Sequence, residues 1–217
     1  TNAYGKGACR RIAAAHLREP PLDITAKDDA QTWAANLDAT VLATGTLRLA
    51  KTTNVTLLAG FDEGAWWVQD AAATLPVALL GDVKGKHVID LCAAPGGKTA
   101  QLTSRGAKVS AVERSAKRLK RLEENLTRLN LTAETFCDDV GLWTPEEKAD
   151  AVLLDAPCSS TGTIRRHPDI PHLKKPEDVE KLGTAQYRLL EAALKMVKPG
   201  GRVVFCTCSL QPEEGPE

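Results

Sequence analysis

The segment His87–Gln101, HVIDLCAAPGGKTAQ, most constrains what this chain can fold into. Val88, Ile89 and Leu91 are β-formers, Ala93-Ala94-Pro95-Gly96-Gly97 is a turn, and a helical pattern begins at Lys98. A strand, a glycine turn and a helix start bring free backbone N–H groups close to a ligand. Asp90, at the strand's end, is placed to accept hydrogen bonds from the turn or from a ligand amine. The same alternation continues downstream. Lys108–Val112 reads as a strand ending at Glu113. Ser115–Leu129 reads as a helix with Leu119, Leu122, Leu126 and Leu129 inward. Ala133–Phe136 leads to Asp138 and Asp139, and Ala149–Leu154 is apolar on both faces, as a central parallel strand must be. Thr184–Val197 is a predicted helix closed by Lys198-Pro199-Gly200-Gly201, and Arg202–Cys206 is a fifth strand. Repeated β-α units predict an α/β fold with a doubly wound, mostly parallel sheet and ligands at the carboxyl ends of its strands.

Three nucleotide pockets compete for the glycine turn. A P-loop requires G-x-x-x-x-G-K-[ST]. Gly97-Lys98-Thr99 supplies its second half, but Cys92 stands where the first glycine must be. The dinucleotide pattern G-x-G-x-x-G fails because Gly96 and Gly97 are adjacent and no third glycine follows. S-adenosylmethionine remains. It has no phosphates, so it needs close backbone approach, an acid for the ribose and contacts for the adenine. Glu113, after the second strand, suits the vicinal ribose hydroxyls, because a carboxylate accepts two hydrogen bonds. Asp138 or Asp139, after the third, suits the adenine edge. Asp155, after the fourth, falls beside the reacting centre.

The rest of the chain frames this core. Its 217 residues allow one sizeable domain and a small appendage. Residues 1–64 read as a small N-terminal α+β module. It comprises a helix from Thr1 to about Arg18, a strand at Leu22–Thr25, a helix started by Asp28 or Asp29 and carrying Trp33, Ala34 and Leu37, and β-like pieces at Val41–Ala43 and Thr46–Leu49. Residues 65–217 read as the Rossmann-like domain. Within it, Trp66–Leu80 has helical spacing, with Val68, Ala71, Ala72, Leu75 and Leu79 as the expected buried stripe. Trp66 and Trp67 either stack on bases or wedge the module against the main domain, and wedging is the expectation. Net charge is +0, so a nucleic-acid partner must be met by local basic patches. No apolar run is long enough to span a bilayer and there is no signal-peptide pattern, which predicts a cytoplasmic protein with no membrane partner. The 6 cysteines lack disulfide-framework or zinc spacing, so reduced thiols and no metal site are expected.

Two cysteines stand apart. Strand four runs into Asp155-Ala156-Pro157-Cys158-Ser159-Ser160-Thr161-Gly162, and strand five into Thr207-Cys208-Ser209, so both thiols edge the same crevice. A thiolate there can add to C6 of a pyrimidine and make C5 electron-rich enough to take a methyl group from a sulfonium donor. Methyltransferases acting on exocyclic amines carry an acid-Pro-Pro-aromatic turn at this place, but here Cys158 follows Pro157. Packing is the expectation for Cys9, Cys92, Cys137 and Cys206.

CAAPGGKT (Cys92–Thr99), DAPCSSTGTIRRHPDI (Asp155–Ile170) and TCSLQPEE (Thr207–Glu214) resemble the signature motifs of the Nol/Nop/Sun family of RNA cytosine-C5 methyltransferases, and within it the bacterial Sun/RsmB type that acts on 16S ribosomal RNA. The likeness runs from about Trp66 onward. It implies that Cys208 is the nucleophile and that Cys158 assists product release. It also implies that Cys92, Ala93, Ala94, Pro95, Gly96, Gly97, Lys98, Glu113, Asp139 and Asp155 line the S-adenosylmethionine site, Asp155 being shared with catalysis. Arg165, Arg166, His167, Lys174 and Lys175 are the candidates to grip RNA phosphates. The target cytosine must be unstacked to reach Cys208, so single-stranded or loop RNA is the expected partner of a monomeric enzyme. Transfer RNA as the substrate, or a non-catalytic RNA-binding assembly factor, are the alternatives. Family members of this type usually carry an N-terminal helical RNA-binding domain and two further strands after the Thr-Cys-Ser motif. Neither is found here, so the domain is expected to be truncated at its C-terminal end.

Overall fold

In the computed structural model, which describes residues 3–51 and 53–215, α1 (Gly5–His16) precedes a small antiparallel sheet. Thr1 and Asn2, the start of the expected first helix, lie outside the described residues. The sheet is built from β1 (Asp23–Ala26), β2 (Ala39–Val41), β3 (Leu47–Leu49) and β4 (Trp66–Val68) in the order β2-β3-β1-β4. Helix α2 (Ala30–Asn36) lies between β1 and β2. Asp29 caps it, accepting from the Thr32 N–H at 3.1 Å, so one orphan donor of the first turn is satisfied. Ile24, Leu47 and Trp66 are fully buried in the module's own core.

The expected helix from Trp66 is corrected. Trp66–Val68 pairs with β1, with Trp66 opposite Ala26 and Val68 opposite Ile24. The small sheet therefore runs on past residue 64. The helix, α3 (Ala71–Leu79), starts only where Asp70 accepts from the Ala72 N–H at 2.9 Å. Its buried residues are Thr74 and Val77, whereas Val68, Leu75 and Leu79 are exposed. Apolar residues at helical spacing misled here because a capping aspartate four residues in outweighs periodicity. Adjacent strand residues face opposite ways. Trp66 thus enters the module's core, while Trp67 packs with Ala93, Ala94, Ala100 and Leu122 of the main domain, which is the wedge expected of the pair.

The main sheet has five parallel strands: β5 (His87–Leu91), β6 (Lys108–Val112), β7 (Glu134–Phe136), β8 (Ala149–Asp155) and β9 (Val197–Cys206), in the order β7-β6-β5-β8-β9. The expected doubly wound α/β fold is what forms. Helices α4 (Gly97–Ser104) and α5 (Ala116–Arg128) follow β5 and β6, and α6 (Ile170–Leu173) and α7 (Pro176–Met196) connect β8 to β9. Strand residues alternate between two cores: Val88 and Leu153 pack with Val77 and Leu102, while Ile89 and Leu154 pack with Ala193 and Met196. Each fully buried Leu or Ile contributes about 1.5–3 kcal/mol. Strand order reverses between β5 and β8, so their carboxyl ends open the crevice of the fold.

Helix α7 begins at Pro176, eight residues before the predicted start. The Lys175 N–H donates to Asp178 at 3.0 Å in a capping box. Gly183 lies inside this helix where the loop after β9 approaches: a Cβ would lie 2.9 Å from the Glu213 carbonyl oxygen. At β9, pairing passes from Ala149–Val197 to Ala151–Arg202, so Lys198-Pro199-Gly200-Gly201 bulges out of the register. The module is fastened to α5. Arg128 donates to the carbonyls of Phe61 at 2.7 Å and Trp66 at 3.3 Å, and it lies 4.2 Å from the Phe61 ring centroid. Among the described residues, no helix is long and apolar enough to cross a membrane.

Candidate active site

The turn after β5 is held from below by α5. Gly96 has φ +99°, and a Cβ there would lie 2.9 Å from Leu122 Cγ, so only glycine fits. Arg118 donates to the Ala94 carbonyl at 2.5 Å and Asn125 to that of Pro95 at 2.8 Å. Asp90 is fully buried, and one oxygen accepts from Thr99 Oγ1 at 2.6 Å. Its other oxygen has no partner among the described residues. Burial pushes its carboxyl up to about 7, against the pull of Thr99 and Lys98. Glu113, also buried, accepts from the Ser115 N–H at 2.9 Å through Oε1. Its Oε2 lies 3.3 Å from the Arg118 guanidinium without hydrogen-bond geometry and is likewise unpartnered. Two buried carboxylates at neighbouring strand ends thus each keep one oxygen without a hydrogen-bond donor among the described residues.

A cavity of about 530 Å³ lies here, lined by Cys92, Glu113, Asp139, Asp155, Cys158 and Cys208 among others. Asp139, and not Asp138, is among its lining residues. Asp139 also accepts from the Gly141 N–H at 2.8 Å, which shapes the loop after β7. A second cavity of about 640 Å³ adjoins it, sharing Asp155 and Cys208 and adding Arg48, Lys98, Arg165 and Arg166. Asp155 and Cys208 therefore form the seam between two chambers. Larger cavities lie at the amino ends of β5 and β6, about 1220 Å³, and beneath α1, about 730 Å³. Neither contains a thiol pair or an unpartnered buried acid, so chemistry rather than volume selects the site.

At the seam, Cys158 Sγ and Cys208 Sγ are 3.3 Å apart, both free thiols, and Ser160 Oγ is 3.4 Å from Cys208 Sγ. The Cys158 thiol beside it lowers Cys208 to about 6; burial opposes this and Ser160 reinforces it. Cys158 is pushed up in turn, first by its bond to Cys208 and then by burial. Each sulfur's shift is set by the other, so the pair as a unit gives up its first proton early and holds the second. Cys92 is pushed up to about 12 by burial and then by Glu113, and Cys206 is raised by burial and then by Asp155. Both thus hold their protons, Cys92 while lining the cavity and Cys206 while donating to Asp155 at 3.5 Å. Lys98 Nζ donates to Asp155 at 2.7 Å. Burial works against the lysine's charge, and the Asp155 carboxylate outweighs it, keeping the amine protonated.

The basic candidates divide differently from their sequence order. Arg165 donates to the Arg18 and Glu19 carbonyls at 3.0 and 2.5 Å. Arg166 donates to the Pro21 carbonyl at 3.1 Å and to Asp70 at 2.8 Å. Both pin the segment after α1 across the second chamber while still lining it. His167 is exposed, and the exposed Lys174 and Lys175 sit nearer the cavity under α1. Sequence reasoning assigned no role to Arg118, Ser160, Gln186 or Glu214. Only the serine's place one residue beyond Cys158-Ser159 hinted at its contact.

The model for 16S rRNA methyltransferase RsmB/F matches residues 77–217. The ribosomal RNA small subunit methyltransferase B of Vibrio vulnificus (strain YJ016) is 44% identical over 190 residues, covering 84% of this chain and 45% of that protein. This chain thus spans under half of that relative's length. The solved methyltransferase homolog protein from Pyrococcus horikoshii superposes with a TM-score of 0.83 at 29% identity, over 97% of this chain and 72% of that one. NSun6 from Pyrococcus horikoshii, solved with SFG, gives 0.68 at 31% identity, over 76% and 43%. The expected Rossmann-like methyltransferase fold and its S-adenosylmethionine cofactor class stand with these relatives. The likeness carried by CAAPGGKT, DAPCSSTG and TCSLQPEE is one of descent, and the chain belongs to the 16S rRNA methyltransferase RsmB/F family.

Proposed function

We propose that this chain is the catalytic part of an enzyme that methylates C5 of a cytosine in RNA, with 16S ribosomal RNA as the substrate. The observation that carries the reading is the Cys158–Cys208 pair, 3.3 Å apart where two chambers meet. One chamber fits S-adenosylmethionine: Glu113 for the ribose, Asp139 for the adenine and, for the amino-acid end, Cys92 and Ala94, the two residues of the predicted turn that line it, whereas Ala93, Pro95, Gly96 and Gly97 are not among its lining residues and Lys98 lines the other chamber. When bound, the cofactor supplies an electrophilic methyl group on a sulfonium.

The other chamber receives the base. Cys208, the thiolate of the pair, adds to C6 of the ring and leaves electron density at C5. Asp155, held by Lys98, faces both chambers and orients the ring's polar edge. After C5 gains its methyl, its proton passes to water in the crevice and the C5–C6 double bond re-forms as the C6–S bond breaks and Cys208 leaves as the thiolate. Cys158, the partner that retains its proton, assists by donating a hydrogen bond to the departing sulfur. Arg48 and Arg166 on this chamber's rim are ion-paired with Asp23 and Asp70, while Arg165, among the described residues, bonds only to backbone carbonyls and keeps its charge for a phosphate beside an unstacked nucleotide.

The test is transfer of labelled methyl from S-adenosylmethionine to unmodified small-subunit ribosomal RNA, with transfer RNA in parallel. Label recovered as 5-methylcytosine in ribosomal RNA is the expected result. Cys208→Ala abolishes it while retaining cofactor binding, and Cys158→Ala accumulates a covalent protein–RNA adduct. An adduct that forms through Cys158 and survives loss of Cys208 reverses the two roles.

A further inference from the structure

Glu214 is 2% exposed and lies beside Ser159, at 0%, and Gln186 of α7, at 3%. Four donors converge on its carboxylate. The Ser159 N–H and the Gln186 amide donate to Oε1 at 2.8 and 3.0 Å. The hydroxyls of Ser209, at 2.5 Å, and Ser159 donate to Oε2. Gln186 also donates to the Pro157 carbonyl at 2.9 Å. A carboxylate has about four acceptor sites, and all four are filled, so its burial is compensated. The two serines are the chain neighbours of the two reactive thiols: Ser159 follows Cys158 and Ser209 follows Cys208.

We propose that Glu214 is the positioning residue of the thiol pair. Its carboxylate staples the loop after β8 to the loop after β9, and α7 closes the staple through Gln186. The strands fix where each loop starts, and the loops also meet where the Gly162 N–H donates to the Cys208 carbonyl at 2.9 Å and the Leu210 N–H to Thr161 Oγ1 at 2.9 Å; Glu214 adds the buried carboxylate that gathers donors from both loops at once. Glu214 bonds to the serines and to Gln186 rather than to either sulfur, so it acts on the chemistry through the loops. The proposal rests on the reading of Cys208 as nucleophile and Cys158 as release group, because one ring must meet both sulfurs.

The experiment reads the sulfur–sulfur geometry directly. The folded protein is treated with diamide, which takes one hydrogen from each thiol and is reduced to the hydrazine as the S–S bond forms. The Cys158–Cys208 peptide pair is followed over time by mass spectrometry. Ser209→Ala removes one arm of the staple, together with the Ser209 Oγ contacts to Ser159, Thr161 and the Gln211 N–H, and leaves the bonds of Glu214 to Ser159 and Gln186 in place. Glu214→Gln keeps the shape but sets an amide against a site surrounded by donors. Both variants are expected to cross-link roughly tenfold to a hundredfold more slowly, the scale of misplacing reacting atoms by about 1 Å. Thermal unfolding of Ser209→Ala should stay near that of the parent, which separates positioning from general loosening. Parent-like cross-linking rates in both variants overturn the proposal, whatever their stability. Should Glu214→Gln not fold, Ser209→Ala alone decides. Slow cross-linking in the variants of a protein that never methylates RNA sinks the proposed function and leaves the staple standing.

Discussion

The division of the thiol pair can be read from the pH dependence of Cys208 alkylation. Cys208 is held at about 6, chiefly by the Cys158 thiol 3.3 Å away. At pH 7 about nine-tenths of it is thiolate, against about 3% for an ordinary cysteine near 8.5. Labelling with iodoacetamide, mapped to the Cys208 peptide across about pH 5 to 9, should rise through a midpoint near 6 and level off above about 7. Cys158→Ala removes the main donor, and the midpoint should move up toward about 8.5. A single rate at pH 7 misleads. The thiolate fraction falls about thirtyfold, but a more basic thiolate is more nucleophilic, and a Brønsted slope of 0.4–0.5 returns roughly 10- to 18-fold. The midpoint is therefore the readout. A parent midpoint near the ordinary thiol value, or one that ignores loss of Cys158, refutes the electrostatic argument.

Three further perturbations follow from packing and burial. Gly64 has φ +63°, and a Cβ there would sit 2.0 Å from the Arg128 carbonyl oxygen, so Gly64→Ala should cost about 1–3 kcal/mol or more in denaturant unfolding and loosen the module from α5. Leu122→Ala removes a fully buried side chain beneath the Gly96 turn and should cost about 2–5 kcal/mol, with weaker cofactor binding by calorimetry. Asp90 has a folded pKa of about 7, raised by burial above its unfolded value, so the folded state binds the proton more tightly. Its stabilising effect is full below the unfolded value near 4 and is lost as pH rises toward 7, by up to roughly 4 kcal/mol. Asp90→Asn should flatten that part of the ligand-free protein's stability curve between about pH 4 and 8. An unchanged slope would mean that the Asp90 carboxyl is solvated.

Local chemistry made much of the fold legible. β5, β6 and β8 were readable because strands buried on both faces are near-continuous apolar runs. Helix α5 was readable because Ser115 caps it and four leucines recur at helical spacing. The misreadings were local rules outvoted by neighbours. Trp66–Val68 satisfied helical periodicity, but β1 offered an unpaired edge. The helix expected from Thr184 begins instead at Pro176 and runs 21 residues, because Asp178 accepts from the Lys175 N–H and Gly183 leaves the space that another loop needs.

In the site, sequence order alone determined that Asp90, Glu113, Asp155, Cys158 and Cys208 would meet, because parallel strands deliver their carboxyl ends to one edge. Asp139 lining the cavity while Asp138 does not is a matter of loop geometry, fixed by the Gly141 N–H. Only the tertiary structure decided that the two sulfurs stand 3.3 Å apart, that Arg165 and Arg166 hold the chain's own N-terminal segment, and that Glu214 gathers four donors between the cysteine loops. The physical reason is common to all three. Periodicity and strand order act through the backbone over a few residues. Distances between side chains 50 residues apart depend on how loops are anchored, and those anchors are hydrogen bonds to whichever buried groups the packed core leaves within reach.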